Sequence, residues 1–102
     1  MYIIYTISNC KYCELAKDLL NGIQKIIINC DEMLTDPISR MNFINSINNK
    51  IGYPILNLND KITFPIIFLK DDYIGGYTDL KSYLELDETL TSYYLFPNNQ
   101  DF

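Results

Sequence analysis

The sequence contains no histidine and no tryptophan. Without imidazole there is no His-activated nucleophile, no imidazole general base and none of the histidine ligands on which most catalytic zinc sites rely. Basic residues are few. Lys and Arg number 8 against 13 Asp and Glu, for a formal net charge of −5. They are scattered singly, with no basic stripe, so the electrostatic footprint that nucleic-acid binding requires is missing. An anionic membrane surface is disfavoured for the same reason. No apolar run approaches the roughly 18 residues of a membrane span; stretches such as "FPIIFL" are strand-sized. The start, "MYIIYTIS", has neither a basic leader nor a small-residue cleavage site, and a cytoplasmic protein is expected. The three cysteines, Cys10, Cys13 and Cys30, are too few and odd in number for a disulfide framework. A chain of 102 residues is expected to form one domain with a core that needs no disulfide staples.

What is present alternates between two periods. Residues 1–6, "MYIIYT", are β-branched and aromatic and read as a strand. Ser8 or Asn9 is placed to cap a helix with Leu15, Leu19, Leu20 and Ile23 along one stripe and Gly22 as its stop. Residues 24–29, "QKIIIN", form a continuous apolar run, as in a buried parallel strand. Asp36-Pro37 reads as an N-cap followed by proline in the first turn. The stripe Ile38, Met41, Ile44 and Ile47 then ends near Lys50, before Gly52. Residues 52–60 are a loop or irregular crossover. "FPIIFLKDDYIGG" reads as two strands, 66–70 and Tyr73–Gly75, joined by a turn at Asp71 and Asp72. Thr78 is placed to cap a last helix with Leu80, Tyr83 and Leu84 on its inner face, and the tail adds one more helical turn before fraying. The expected fold is α/β, in the order β-α-β-α-β-β-α. A right-handed βαβ unit and a hairpin make a four-stranded mixed sheet flanked by helices.

Chemistry concentrates in "TISNCKYCELAKDLL", Thr6 to Leu20. Cys10 falls at the start of a helix and Cys13 one turn later. The helix dipole and unpaired N–H groups there favour a thiolate, and Lys11 adds charge of the right sign. Cys10 is expected to be the exposed nucleophile and Cys13 the resolving thiol, close enough to form a disulfide with it. Two other readings stay open for such a pair: small apolar core residues, or ligands of a metal. Structural zinc needs four ligands, and only Cys30 could join from the same chain, so a cluster would have to be bridged between two chains. Two further motifs stand apart. In "TFPIIF" Pro65 is either a plain strand-start proline or a cis proline that leaves the Phe64 N–H and C=O free for an extended ligand. "IGGYTDL" is either a tight turn with a helix cap or a site where a carboxylate meets helix N–H groups and Asp79 an ammonium. Cys30 reads as a small core or strand-end residue, with a regulatory thiol as the alternative.

Taken together, "CKYC", "TFP" and "GGYTD" in this order resemble the glutaredoxin family, which usually shows C-P-Y-C, T-V-P and G-G-x-x-D. The resemblance covers about residues 1–86, a glutaredoxin-like domain, and leaves 87–102 as a C-terminal extension. It implies a thioredoxin fold and a dithiol oxidoreductase that uses glutathione as co-substrate to reduce protein disulfides and glutathione mixed disulfides, working as a monomer. Cys10 would attack and Cys13 resolve. Tyr12 would line the glutathione groove. The Phe64 backbone, held by cis Pro65, would pair with the cysteinyl part, and Tyr77, Thr78 and Asp79 would hold the γ-glutamyl end. Ribonucleotide reductase is a familiar client of such proteins. Three departures stand out. Ile7 occupies the place of the usual lysine, so that Lys11 is expected to lower the thiol pKa and Lys11, Lys61 or Arg40 to meet the glycyl carboxylate. Lys11 also replaces the usual proline, a change that in this family sometimes accompanies a [2Fe–2S] cluster bridged between two chains, although no metal is expected here. Finally, segments 52–62 and 87–102 differ from the short members. The alternative functions are a redoxin fed by thioredoxin reductase, and an iron–sulfur or adaptor module on the same fold.

Overall fold

The computed structural model describes residues 1–57 and 61–95, with residues 87–95 as helical backbone only. The elements run β1 (Tyr2–Thr6), α1 (Lys11–Leu19), β2 (Lys25–Asn29), a short 3-10 helix (Asp31–Leu34), α2 (Pro37–Ile51), β3 (Ile66–Leu69), β4 (Asp72–Gly75) and α3 (Tyr77–Leu95). The four strands lie in the order β2-β1-β3-β4. β1 runs parallel to β2, with Ile4 opposite Ile27, and antiparallel to β3, with Ile4 opposite Ile67. This is the mixed sheet of a thioredoxin fold.

Strand alternation splits the core in two. One face of β1 presents Tyr2 and Ile4, which pack with Ala16 and Leu20 from α1, Ile67 from β3 and Leu80 from α3. The other side gathers Phe43 and Ile47 from α2 with Phe64, Ile66 and Phe68. The sheet therefore carries α1 and α3 on one face and α2 on the other.

Several expectations need correction. The inward stripe of α1 is Cys13, Ala16 and Leu20; Leu15 and Leu19 flank it half-buried, and Ile23 lies beyond the helix, exposed. β2 is an edge strand, with Ile26 and Ile27 46 % and 45 % exposed. A continuous apolar run does not distinguish an edge from a centre. In α2 the buried residues are Phe43, Ile44 and Ile47, whereas Ile38 and Met41 face solvent. The hairpin turn is Lys70-Asp71, not Asp71-Asp72: Lys70 has φ +56°, and Leu69 faces Asp72 across the ladder.

The ends of α2 follow the sequence. The Ser39 N–H donates to Asp36 Oδ1 at 2.8 Å, Pro37 opens the helix, and Gly52 closes it at φ +101°. Beyond it, Asn48 ties down the following segment by donating to the Leu56 carbonyl at 2.9 Å and accepting from the Leu56 N–H at 2.8 Å. On α3, Leu80 is buried and Leu84 half-buried, with Tyr83 exposed. The helix continues past residue 86 to Leu95. The side chains of the expected extension, 87–102, lie outside the described residues.

Candidate active site

Cys10 and Cys13 are joined in a disulfide, their Cα atoms 5.2 Å apart. Neither Ser8 nor Asn9 caps α1. Cys10 itself is the N-cap, with an extended backbone, and its sulfur accepts from the Cys13 N–H at 3.2 Å. A sulfur that already receives a backbone N–H at a helix N-terminus is stabilised as the thiolate once the disulfide opens. Asn9, at φ +57°, turns the chain into this position, a conformation that asparagine tolerates better than most residues.

A clamp that the motifs do not announce holds the loop before Cys10. The Ser8 N–H donates to Asp31 Oδ1 at 2.9 Å, and the Ser8 hydroxyl donates to the other carboxylate oxygen. Asn29 completes the link by accepting from the Asp31 N–H at 2.9 Å. The two bonds from Ser8 hold the Asp31 carboxyl below the usual carboxylate range. Sequence spacing gives no sign of the clamp, because Ser8 and Asp31 meet only through the pairing of Thr6 with Asn29. Ile7 packs against the core cluster and brings no charge to the site.

Opposite the loop, the Phe64-Pro65 peptide bond is cis. The Phe64 carbonyl oxygen lies 3.8 Å from Cys10 Sγ. The Phe64 N–H forms no hydrogen bond with another described residue. An extended strand laid beside it would find both a donor and an acceptor.

The third wall is the start of α3. The Leu80 N–H donates to the Gly76 carbonyl at 3.0 Å, and Asp79 Oδ2 accepts from the Gly76 N–H at 3.0 Å. Gly76 is therefore the N-cap and Asp79 reaches back to it, a capping-box arrangement. Thr78 lies inside the first turn and is not the cap. The opening N–H groups of α3 have no acceptor within the helix.

These parts enclose one groove of about 520 Å³, lined by Tyr12, Phe64, Pro65, Tyr77, Thr78 and Asp79, with Ile51, Leu56, Lys61, Ile62 and Tyr73 among its other walls. Lys11 does not line it; its ammonium lies 5.9 Å from the centroid of the Tyr12 ring. Among the described residues, Lys61 is the cation on the groove wall, while Arg40 borders a separate cavity beside Asp36 and Met41. Sequence reading misses Tyr73 and Leu56 as groove walls, since each looks like ordinary hairpin or loop material. Cys30 is fully buried, and burial pushes its thiol up to about 11, so at neutral pH it stays protonated and behaves as a core residue. Among the described residues, no group of three or more His, Cys, Asp or Glu could hold a metal ion.

No protein-family model and no curated protein matches the chain. Solved structures do match. Glutaredoxin 1 from Francisella tularensis, crystallised with cacodylate, is 32 % identical with a TM-score of 0.61, over 88 % of this chain and 95 % of that one. Glutaredoxin from Brucella melitensis is 30 % identical with a TM-score of 0.55, over 90 % and 85 %. A buckwheat glutaredoxin in complex with glutathione shares the fold, with a TM-score of 0.61 at 15 % identity over 88 % and 73 %. With that similarity along nearly the full length of the bacterial proteins and a Cys10–Cys13 disulfide at the head of α1, the chain belongs to the glutaredoxin family and is of the thiol–disulfide oxidoreductase kind.

Proposed function

We propose that the protein is a glutathione-dependent oxidoreductase that reduces protein disulfides and glutathione mixed disulfides. The observation that carries this reading is the groove beside Cys10, where an open backbone edge at Phe64, the N-terminus of α3 and a lysine converge. Glutathione is a tripeptide analogue with two carboxylates, an ammonium and one thiol. Its cysteinyl amide would pair with the Phe64 N–H and C=O, which places its sulfur beside Cys10. The γ-glutamyl carboxylate would meet the N–H groups at Tyr77–Asp79, and its ammonium the Asp79 carboxylate. Lys61 would face the glycyl carboxylate, and Lys11 would add positive charge beside the thiolate. The glutaredoxin from buckwheat binds glutathione on the same fold.

In the reaction, the Cys10 thiolate attacks the glutathionyl sulfur of a mixed disulfide, and the client's thiolate leaves. A second glutathione thiolate then attacks that sulfur, which releases glutathione disulfide and restores the Cys10 thiolate. With a protein disulfide, Cys10 attacks one client sulfur and Cys13 displaces the client. Both electrons pass to the client, and the Cys10–Cys13 disulfide remains. Two glutathione molecules then reduce it. A cytoplasmic location, where glutathione keeps thiols reduced, and a monomeric state belong to the same proposal.

The test is a coupled assay with glutathione, glutathione reductase and a glutathionylated substrate. Cys10→Ser is expected to abolish turnover, and Cys13→Ser to keep part of it, because the mixed-disulfide route needs one thiol. Full activity in Cys10→Ser would refute the assignment. A second reading, electron supply from thioredoxin reductase, is favoured by one observation: Ile7 brings no charge to the loop.

A further inference from the structure

Tyr12 sits in the first turn of α1 between the two cysteines, 53 % exposed. A side chain that open keeps its rotamer freedom unless something holds it. The helical backbone of α1 narrows the choice of χ1 rotamers but does not by itself fix the ring. Among the described residues, the ring meets one cation and one other aromatic ring. One is the Lys11 ammonium, which is itself exposed. The other is Tyr77, whose ring centroid lies 5.7 Å from that of Tyr12 at an interplanar angle of 34°, within the range of favourable aromatic pairs.

The two partners are not equal. Tyr77 is half-buried and packs against the apolar cluster beneath α1 and α3. It also begins a helix whose start is fixed by Gly75, at φ +124°, and by the Asp79 carboxylate on the Gly76 N–H. Tyr77 is therefore the anchored ring and Tyr12 the carried one. Both line the groove, and their contact bridges the redox loop to the start of α3.

We infer that the Tyr77 side chain is a positioning residue for the redox loop: by holding the Tyr12 ring it keeps that wall of the groove preformed for the glutathionyl group. The inference rests on the glutathione-dependent reading. It assigns the Tyr77 ring a role separate from its backbone N–H, which any substitution other than proline preserves. A preformed wall acts on binding and leaves the sulfur exchange alone, so the effect belongs in KM.

The experiment measures kcat and KM for a glutathionylated substrate in the full chain. Tyr77→Ala is expected to raise KM about three- to tenfold, the scale of one aromatic pair, with kcat and the Cys10 thiol pKa unchanged. Tyr77→Phe keeps the ring and restores KM. Tyr12→Ala/Tyr77→Ala is no worse than Tyr12→Ala alone, because the second ring has nothing left to hold. Should Tyr77→Ala unfold, Tyr77→Leu keeps apolar bulk against the core and is expected to raise KM likewise. An unchanged KM in the folded variant, a Tyr77→Phe as impaired as the alanine form, or additive losses in the double variant would each overturn the inference. A wild-type protein inactive with glutathione overturns the functional reading itself. An active wild type with an indifferent Tyr77→Ala overturns this inference alone.

Discussion

At Gly75 the chain turns at φ +124°, and a Cβ built there would lie 2.8 Å from the Cβ of Asp79. No side chain moves out of that contact without taking the carboxylate off the Gly76 N–H. Gly75→Ala is expected to cost more than about 1 kcal/mol, as alanine does where φ is positive, and to weaken glutathione binding by displacing Asp79. A urea midpoint and a glutathione KM both equal to wild type would contradict this. Gly76 is a different case, because its added Cβ would stand 3.6 Å from the Pro65 carbonyl oxygen, an ordinary contact. The two glycines look alike in sequence, and only backbone geometry separates them. The lysines divide in the same way. Lys11 is the one that proximity to the cysteines recommends, yet Lys61, far from them in the chain, is the one on the groove.

Two carboxylates, one local in sequence and one distant, fix the start of an element each. Asp36 caps α2 through Ser39, and Asp31 clamps the loop before Cys10 through Ser8. In both cases hydrogen bonds hold the carboxyl below its usual range in the folded state. The stability they contribute is present above the unfolded pKa, about 3.9 for aspartate, and is lost as pH falls through the lower folded value. Asp31→Asn/Asp36→Asn is therefore expected to flatten the acid limb of a urea-midpoint titration between about pH 5 and 2; an acid limb as steep as wild type would contradict the assignment. The Asp36 cap is legible in the sequence because Asp-Pro before an apolar stripe is a local signal. The Asp31 clamp is not, since it exists only once β1 and β2 pair. Helix faces were half legible for a related reason. The periodicity identifies α1 and α2, but Ala16 carries too little apolar signal to mark the inner face of α1, and Ile38 too much for a solvent position.

Across the molecule, the sheet order β2-β1-β3-β4 gives the three motifs one address. Cys10 and Phe64, separated by 54 residues, come within 3.8 Å because β1 and β3 are antiparallel neighbours. The βαβ unit and the hairpin were readable, and the resemblance implied by the ordered motifs brought them together; the strand order was not, because neither unit says which strand of one pairs with which of the other. The edge position of β2 and the walls contributed by Leu56 and Tyr73 were not readable, because they depend on which element ends beside which. The proposal is that this groove takes glutathione as its electron source. It is tested by mixing the oxidised protein with glutathione and glutathione reductase, or with thioredoxin reductase, each with NADPH, and following reduction of the Cys10–Cys13 disulfide. Reduction is expected in the glutathione system and none by thioredoxin reductase alone. Reduction by thioredoxin reductase with no response to glutathione would contradict it.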